Sequence, residues 1–311
     1  MANWTIADIP SQKGKIVVVT GATGGLGYQT ALALARAEAD VVLTGRNQAK
    51  GRDAISKIRS QLPRAKVSFE SLDLASLASV ADCAGRLAAS YPSVDLLINN
   101  AGVMALPTRQ LTADGFEMQF GTNYLGHYAL TAHLLPLLRY SPAPRVVSLS
   151  SIAHRTGFIQ FNDLQGERSY SPWKAYNQSK LAMLIFALEL QRRSEAAGWN
   201  LMSNAAHPGW ARTDLIASGP GNSGLFSFAA QFAAPLFSQS AAEGALPTLF
   251  AATSQQAEGG RYYGPSGFSE LKGSPAPATI MPQARNVETA ARLWDVSQQL
   301  TRVSFGHAPE T

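Results

Sequence analysis

The chain has 311 residues, 46% of them apolar, with 26 basic and 21 acidic side chains that leave a net charge of +5. That size supports a large buried core, and with charges interspersed and no Lys/Arg run or aromatic-basic stripe, nucleic acid is not an expected partner. The single cysteine, Cys83, excludes an internal disulfide and any Cys-based zinc site, and suits a reducing compartment.

Met1 to Asp8 carries neither a basic start nor a long apolar stretch, so a signal peptide is not expected. No run of ~20 apolar residues suggests an integral membrane span, and a cytoplasmic location is the expectation. Short β-branched runs follow at Ile16 to Thr20, Val41 to Thr44, Val67 to Glu70, Leu96 to Ile98, Val146 to Leu149 and Leu201 to Ala205. They alternate with helical patterns at Leu26 to Ala39, Gln48 to Gln61, Leu77 to Ser90, Phe116 to Leu138 and Tyr176 to Ala197. This alternation predicts an α/β protein of Rossmann type: a doubly wound parallel sheet in a three-layer αβα arrangement. No linker or repeat divides residues 1–311, so a single domain is expected. Periodicity fades from Leu215 to Ser240, which suggests a lid over the substrate pocket at about 211–245. An amphipathic helix is expected at about 285–300.

The turn after the first strand reads Thr20-Gly21-Ala22-Thr23-Gly24-Gly25-Leu26-Gly27. Glycines there let backbone N–H groups approach a pyrophosphate at the helix N-terminus, although such a cluster, seen alone, also fits a plain structural turn. The second strand ends in Gly45-Arg46-Asn47, with no carboxylate to meet a ribose 2′-hydroxyl. Arg46 can instead pair with a 2′-phosphate, so NADP(H) is expected in preference to NAD(H). The alternative is a solvated arginine at a helix entrance.

Tyr176 and Lys180 stand four residues apart, on one face of a helix. Making a tyrosine work as a base near neutrality takes about 4 kcal/mol of phenolate stabilisation. An ammonium at about 5 Å, in an effective dielectric near 20, supplies roughly 3 kcal/mol of it.

With the glycine turn, Asp73-Leu74, Asn99-Asn100-Ala101-Gly102, Asn123, Ser151, Tyr176-x-x-x-Lys180 and Pro208-Gly209 in this order, the chain resembles the short-chain dehydrogenase/reductase family. The resemblance implies that Gly21, Thr23, Gly25, Leu26 and Gly27 cradle the pyrophosphate, that Asp73 and Leu74 flank the adenine, and that Asn100, Ala101 and Gly102 line the cofactor cleft. It further implies a water held by Asn123, a substrate oxygen bound by Ser151, proton transfer by Tyr176, and Lys180 bonded to the nicotinamide ribose while depressing the tyrosine pKa. Pro208, Gly209 and Thr213 would border the nicotinamide. Ser148, Ser150 and Ser151 all end the fifth strand; the resemblance selects Ser151. The 25-position gap from Ser151 to Tyr176 is longer than in many members, which adds a segment, Phe158 to Trp173, able to shape the pocket.

That insert, with Ser150 to His154, Asp163 to Gly166, His207-Pro208-Gly209 and Ala284 to Ser297, is similar to the retinol-dehydrogenase-like branch. A small apolar alcohol or carbonyl substrate is implied, under a roof of Leu225, Phe226, Phe228, Phe232, Leu236 and Phe237. Those aromatics fit core or interface packing equally well. In the family the helices after the fourth and fifth strands often pair subunits, so a homo-oligomer stays open. The rival readings are weaker. No Gly-x-Ser-x-Gly elbow marks a hydrolase, Ser171-x-x-Lys174 lacks companions, and His127, His133, His154, His207 and His307 lack metal-ligand spacing. A non-catalytic redox sensor or scaffold remains as the alternative.

Overall fold

The computed structural model describes residues 4–210 and 239–306. The strands are β1 (Ile16–Val19), β2 (Asp40–Gly45), β3 (Val67–Ser71), β4 (Leu96–Asn99), β5 (Arg145–Leu149), β6 (Met202–Ala206), β7 (Tyr262–Pro265) and β8 (Pro275–Pro277). They form one sheet in the order β3-β2-β1-β4-β5-β6-β7-β8. Every pairing is parallel except that of β7 with β8. The helices are α1 (Gly25–Arg36), α2 (Gln48–Gln61), α3 (Leu77–Ser90), α4 (Met118–Phe120), α5 (Gly126–Arg139), α6 (Pro172–Ala197), α7 (Ala241–Thr253) and α8 (Val287–Thr301).

Because successive side chains of a strand point to opposite faces, the valine-rich strands feed two cores. Val17, Val19, Val41 and Leu43 pack with Leu34, Ile58 and Leu249 of α1, α2 and α7. Val18, Val42, Leu97 and Val146 pack with Leu87, Leu134 and Leu184 of α3, α5 and α6. The result is the expected doubly wound αβα sandwich.

The structure corrects several boundaries. α6 begins at Pro172 rather than Tyr176, with Ser171 at its N-cap and proline in its first turn, where proline's fixed φ suits a helix start. The helix expected at Phe116 to Leu138 is broken by a π-helical stretch, Gly121–Leu125, between α4 and α5. The expected lid at about 211–245 ends in a regular element. α7 starts at Ala241, and Ser240 and Glu243 close a reciprocal capping box at its N-terminus. The rest of that lid, with Leu225, Phe226, Phe228, Phe232, Leu236 and Phe237, lies outside the described residues. Two strands, β7 and β8, were not expected; both are short, and the prolines of β8 sit at the sheet's edge, where they are tolerated.

The C-terminal helix α8 forms close to its expected position, with the Asn286 side chain accepting the Thr289 N–H. It docks an aromatic seam onto α5 and α6. Trp294 stacks on Phe186 at 5.9 Å between ring centroids and meets Tyr128 edge-on at 5.2 Å. Phe305 closes the seam 4.5 Å from Trp294, and the Arg193 guanidinium covers the indole at 4.3 Å. Among the described residues no helix is long and apolar enough to cross a membrane. Trp294→Ala opens this seam and is expected to destabilise the fold by about 3–5 kcal/mol, read as a lowered urea midpoint at unchanged slope.

Candidate active site

The chain leaves β1 toward β2 on one side and leaves β4 toward β5 on the other, so a crevice opens at the carboxyl ends of β1 and β4. Glycine is required at its floor. Gly21 has φ +65°, and a Cβ there would lie 2.9 Å from the Ala101 Cβ; on Gly27 a Cβ would lie 2.4 Å from the Gly21 carbonyl oxygen. No side chain caps the start of α1, which leaves its first-turn N–H groups free for an anion. Thr23 and Leu26 sit half-buried on the same turn.

The buried Thr20 hydroxyl ties this turn to its neighbours. It accepts the N–H groups of Asn100 at 2.8 Å and Ala101 at 2.9 Å. The Asn100 amide donates in return to the Thr20 carbonyl at 2.6 Å. On its remaining side the hydroxyl meets His127 Nε2 at 2.8 Å. His127 Nδ1 lies 2.8 Å from the Asn123 carbonyl oxygen; since a carbonyl only accepts, Nδ1 carries the proton and Nε2 accepts from Thr20. Asn99, by contrast, turns into the core and donates to Thr131 at 3.0 Å.

Asn123 lies in the π-helical stretch, a feature frequent at functional sites. Its Oδ1 accepts the Val103 N–H at 2.7 Å, and its Nδ2 donates to the Val103 carbonyl and to Ser179 Oγ, both at 2.9 Å. Ser179 in turn donates to the Tyr176 carbonyl at 2.8 Å. A Cβ on Gly102 would lie 3.0 Å from Asn123 Oδ1 and 3.5 Å from Lys180 Nζ, so the Asn100 to Gly102 segment borders the same cavity.

Tyr176 and Lys180 are buried side by side on α6, with Nζ 5.9 Å from the phenol ring centroid. Lys180 Nζ donates to the Leu149 carbonyl at 3.0 Å rather than to the phenol. Burial pushes the Tyr176 pKa up to about 12 against the opposing hydrogen bond from Ser151, and lowers that of Lys180 to about 8. The expected depression of the phenol by the lysine is therefore not seen in this cleft. Desolvation disfavours both charged forms here and is the largest effect on each. Of the three serines, Ser148 and Ser150 are buried, and Ser150 donates to the Lys180 carbonyl at 2.7 Å. Ser151 is the one beside Tyr176; it also accepts the Ala153 N–H at 3.2 Å at the head of a 3-10 turn, Ile152–Thr156.

The other expected cofactor residues lie in loops that follow the strands. Arg46 is exposed just past β2, beside a residue, Gly45, whose Cβ would lie 3.1 Å from the Thr23 methyl group. Asp73 accepts the Ala75 N–H at 3.0 Å, and Leu74 is buried after β3. Pro208 and Gly209 follow β6, with the Pro208 carbonyl accepting from Gln239 at 2.6 Å. Thr213 lies outside the described residues. The insert packs against the segment after β4: Tyr170 donates to the Leu106 carbonyl at 2.8 Å, and Arg109 to the Gln165 carbonyl at 2.8 Å.

The family model for short chain dehydrogenase matches residues 15–220. The chain belongs to the short-chain dehydrogenase family. It lies in the retinol-dehydrogenase-like branch of these nicotinamide-dinucleotide oxidoreductases. Human retinol dehydrogenase 13 is 42% identical over 295 residues, covering 92% of this chain and 84% of that protein. Mouse polyprenol dehydrogenase is 40% identical over 304 residues, covering 96% of this chain and 87% of that protein. Among solved structures, an uncharacterised protein of Mycobacterium paratuberculosis aligns at TM-score 0.80 with 41% identity, covering 98% of this chain and 99% of that one. A short chain dehydrogenase of Shigella flexneri complexed with NADP aligns at TM-score 0.63 with 25% identity, covering 82% of this chain and 98% of that one.

Sequence reasoning missed His127 and Glu270. The first was set aside for lacking metal spacing; its place on the face of Asn123, four residues earlier, was the available signal. Burial lowers the His127 pKa to about 4, whereas an unfolded histidine titrates near ~6.5. The unfolded chain therefore takes up this proton first, so stability is full above pH ~6.5 and falls by up to about 3 kcal/mol as pH drops toward 4. The measurement is urea unfolding across that window, in which His127→Gln shows a shallower slope than the parent protein.

Proposed function

We propose that the protein is an NADP(H)-dependent oxidoreductase that interconverts an apolar alcohol with its aldehyde or ketone, using Tyr176 as acid and base. Tyr176, Ser151 and Lys180 meet at the mouth of the crevice whose floor only glycine can line, and that meeting carries the assignment. In this reading residues 1–311 form one dinucleotide-binding domain. Gly21, Gly25 and Gly27 would hold the pyrophosphate, Arg46 the 2′-phosphate, and Asp73 and Leu74 the adenine. Lys180 would reach the nicotinamide ribose, with Asn100 to Gly102, Pro208, Gly209 and Thr213 around the ring. A bound nicotinamide supplies or accepts the hydride.

Ser151 and Tyr176 hold the substrate oxygen from one side. With a pKa near 12 the phenol stays protonated at neutral pH, which is the form that donates to a carbonyl oxygen gaining negative charge. Lys180, near 8, stays mostly cationic and stabilises the phenolate left behind. Alcohol oxidation reverses the proton transfer and begins from that phenolate. Support for an apolar substrate comes from relatives named for retinol and polyprenol. Support for NADP(H) comes from Arg46 and from structural neighbours complexed with NADP or NADPH.

Tyr176→Phe is expected to cut turnover by about 10²–10⁴-fold while NADPH affinity stays unchanged, measured by NADPH absorbance and by fluorescence titration; an active variant rejects the assigned acid. Arg46→Ala is expected to weaken NADPH binding by about tenfold or more and to leave NADH unaffected. Tighter binding of NADH than NADPH by the parent protein would refute the cofactor preference.

A further inference from the structure

Glu270 occupies a backbone that only a strong local demand sustains. It and Ser269 have φ of +60° and +51°, a left-handed pair that is costly for residues bearing a Cβ. Its carboxylate gathers donors from three separate segments. His207 Nε2 approaches Oε2 at 2.9 Å, the Arg155 guanidinium reaches the same oxygen at 2.7 Å, and Thr279 donates its N–H and hydroxyl to Oε1 at 3.0 and 2.7 Å. Those hydrogen bonds outweigh the effect of burial and hold the carboxyl near pKa 2, ionised at any physiological pH.

The bond to His207 has a directional consequence. The Gly209 N–H donates to His207 Nδ1 at 3.1 Å, so Nδ1 is an acceptor and the ring proton sits on Nε2, aimed at Glu270. A carboxylate at that position selects this tautomer, as an acid partner does for a functional imidazole. The selected tautomer then fixes the Pro208-Gly209 turn. Gly209 has φ +62°, a Cβ there would lie 2.3 Å from the Leu271 carbonyl oxygen, and the Trp210 N–H donates to that same oxygen at 2.8 Å. On the other wall, Arg155 belongs to the 3-10 turn headed by Ser151.

The geometry points to Glu270 as a positioning residue that, through the His207 tautomer and Arg155, sets the spacing between the Pro208-Gly209 turn and the Ser151 turn at the reactive end of the cofactor cleft. This rests on the proposed dinucleotide site, whose nicotinamide end those two turns border. Nothing in the strap 268–271 need touch the substrate for this role.

The test combines NADPH binding, followed by fluorescence, with thermal unfolding and steady-state kinetics on the full chain. Glu270→Gln keeps the shape but must turn an amide N–H₂ toward its former donors. It is expected to weaken NADPH binding and lower kcat by about 10- to 100-fold, and His207→Ala to do the same. Combined in one chain, the two changes cost no more than Glu270→Gln alone, because the His207 link is one of the two that Glu270 makes. His207→Asn, whose amide oxygen falls near the Nδ1 position, recovers most of the affinity lost in His207→Ala. Thr279→Val, which removes a donor from Glu270 without touching His207, leaves NADPH affinity intact. Parent-like NADPH affinity and kcat in a folded Glu270→Gln protein overturn the proposal, as do losses that multiply in the double variant. If Glu270→Gln does not fold, parent-like affinity in His207→Ala overturns it equally. Failure of the parent protein itself to bind NADPH would instead strike the cofactor assignment.

Discussion

The Thr20 hydroxyl is the point on which the site is built. One oxygen accepts two backbone N–H groups from the segment after β4 and donates to a buried imidazole on α5. It thereby joins both lips of the crevice to the helix that carries Asn123. From Asn123 the chain of hydrogen bonds continues through Ser179 to the backbone of Tyr176. The glycine turn and α6 are thus parts of one buried network, in which each polar atom is expensive to leave unpaired.

Around Tyr176 the electrostatics run against simple charge counting. An ammonium four residues away suggests an acidic phenol, yet in the buried cleft both groups shift toward their neutral forms. Desolvation of the charged form is the largest effect on both groups. Under the proposed reaction, a phenol so held keeps its proton until negative charge develops on a substrate oxygen.

Much of the fold was legible because the strands obey simple rules. Val17 to Val19 and Val41 to Leu43 are apolar on both faces, as buried parallel strands require, and the glycine turn lies where the first of them ends. The family was legible through the order of its motifs along the chain. Three features were hidden for identifiable reasons. The π-helical stretch at Gly121–Leu125 has no compositional mark in the chain. β7 and the edge strand β8 are short, and their prolines imitate a loop. Glu270 is brought to His207 across 63 positions of sequence, a meeting that only the folded sheet produces. The start of α6 at Ser171-Pro172 and the Ser240-x-x-Glu243 capping box were written in the sequence and went unused.

The aromatic seam under α8 has a bearing on how the protein matures. Phe186, which Trp294 covers, sits on the same helix as Tyr176, so that helix is braced from behind by a segment far later in the chain. Until that segment docks, Tyr128 and Phe186 present a sticky apolar face to the crowded cell. Loss of that docking would loosen α6 from behind without touching the crevice.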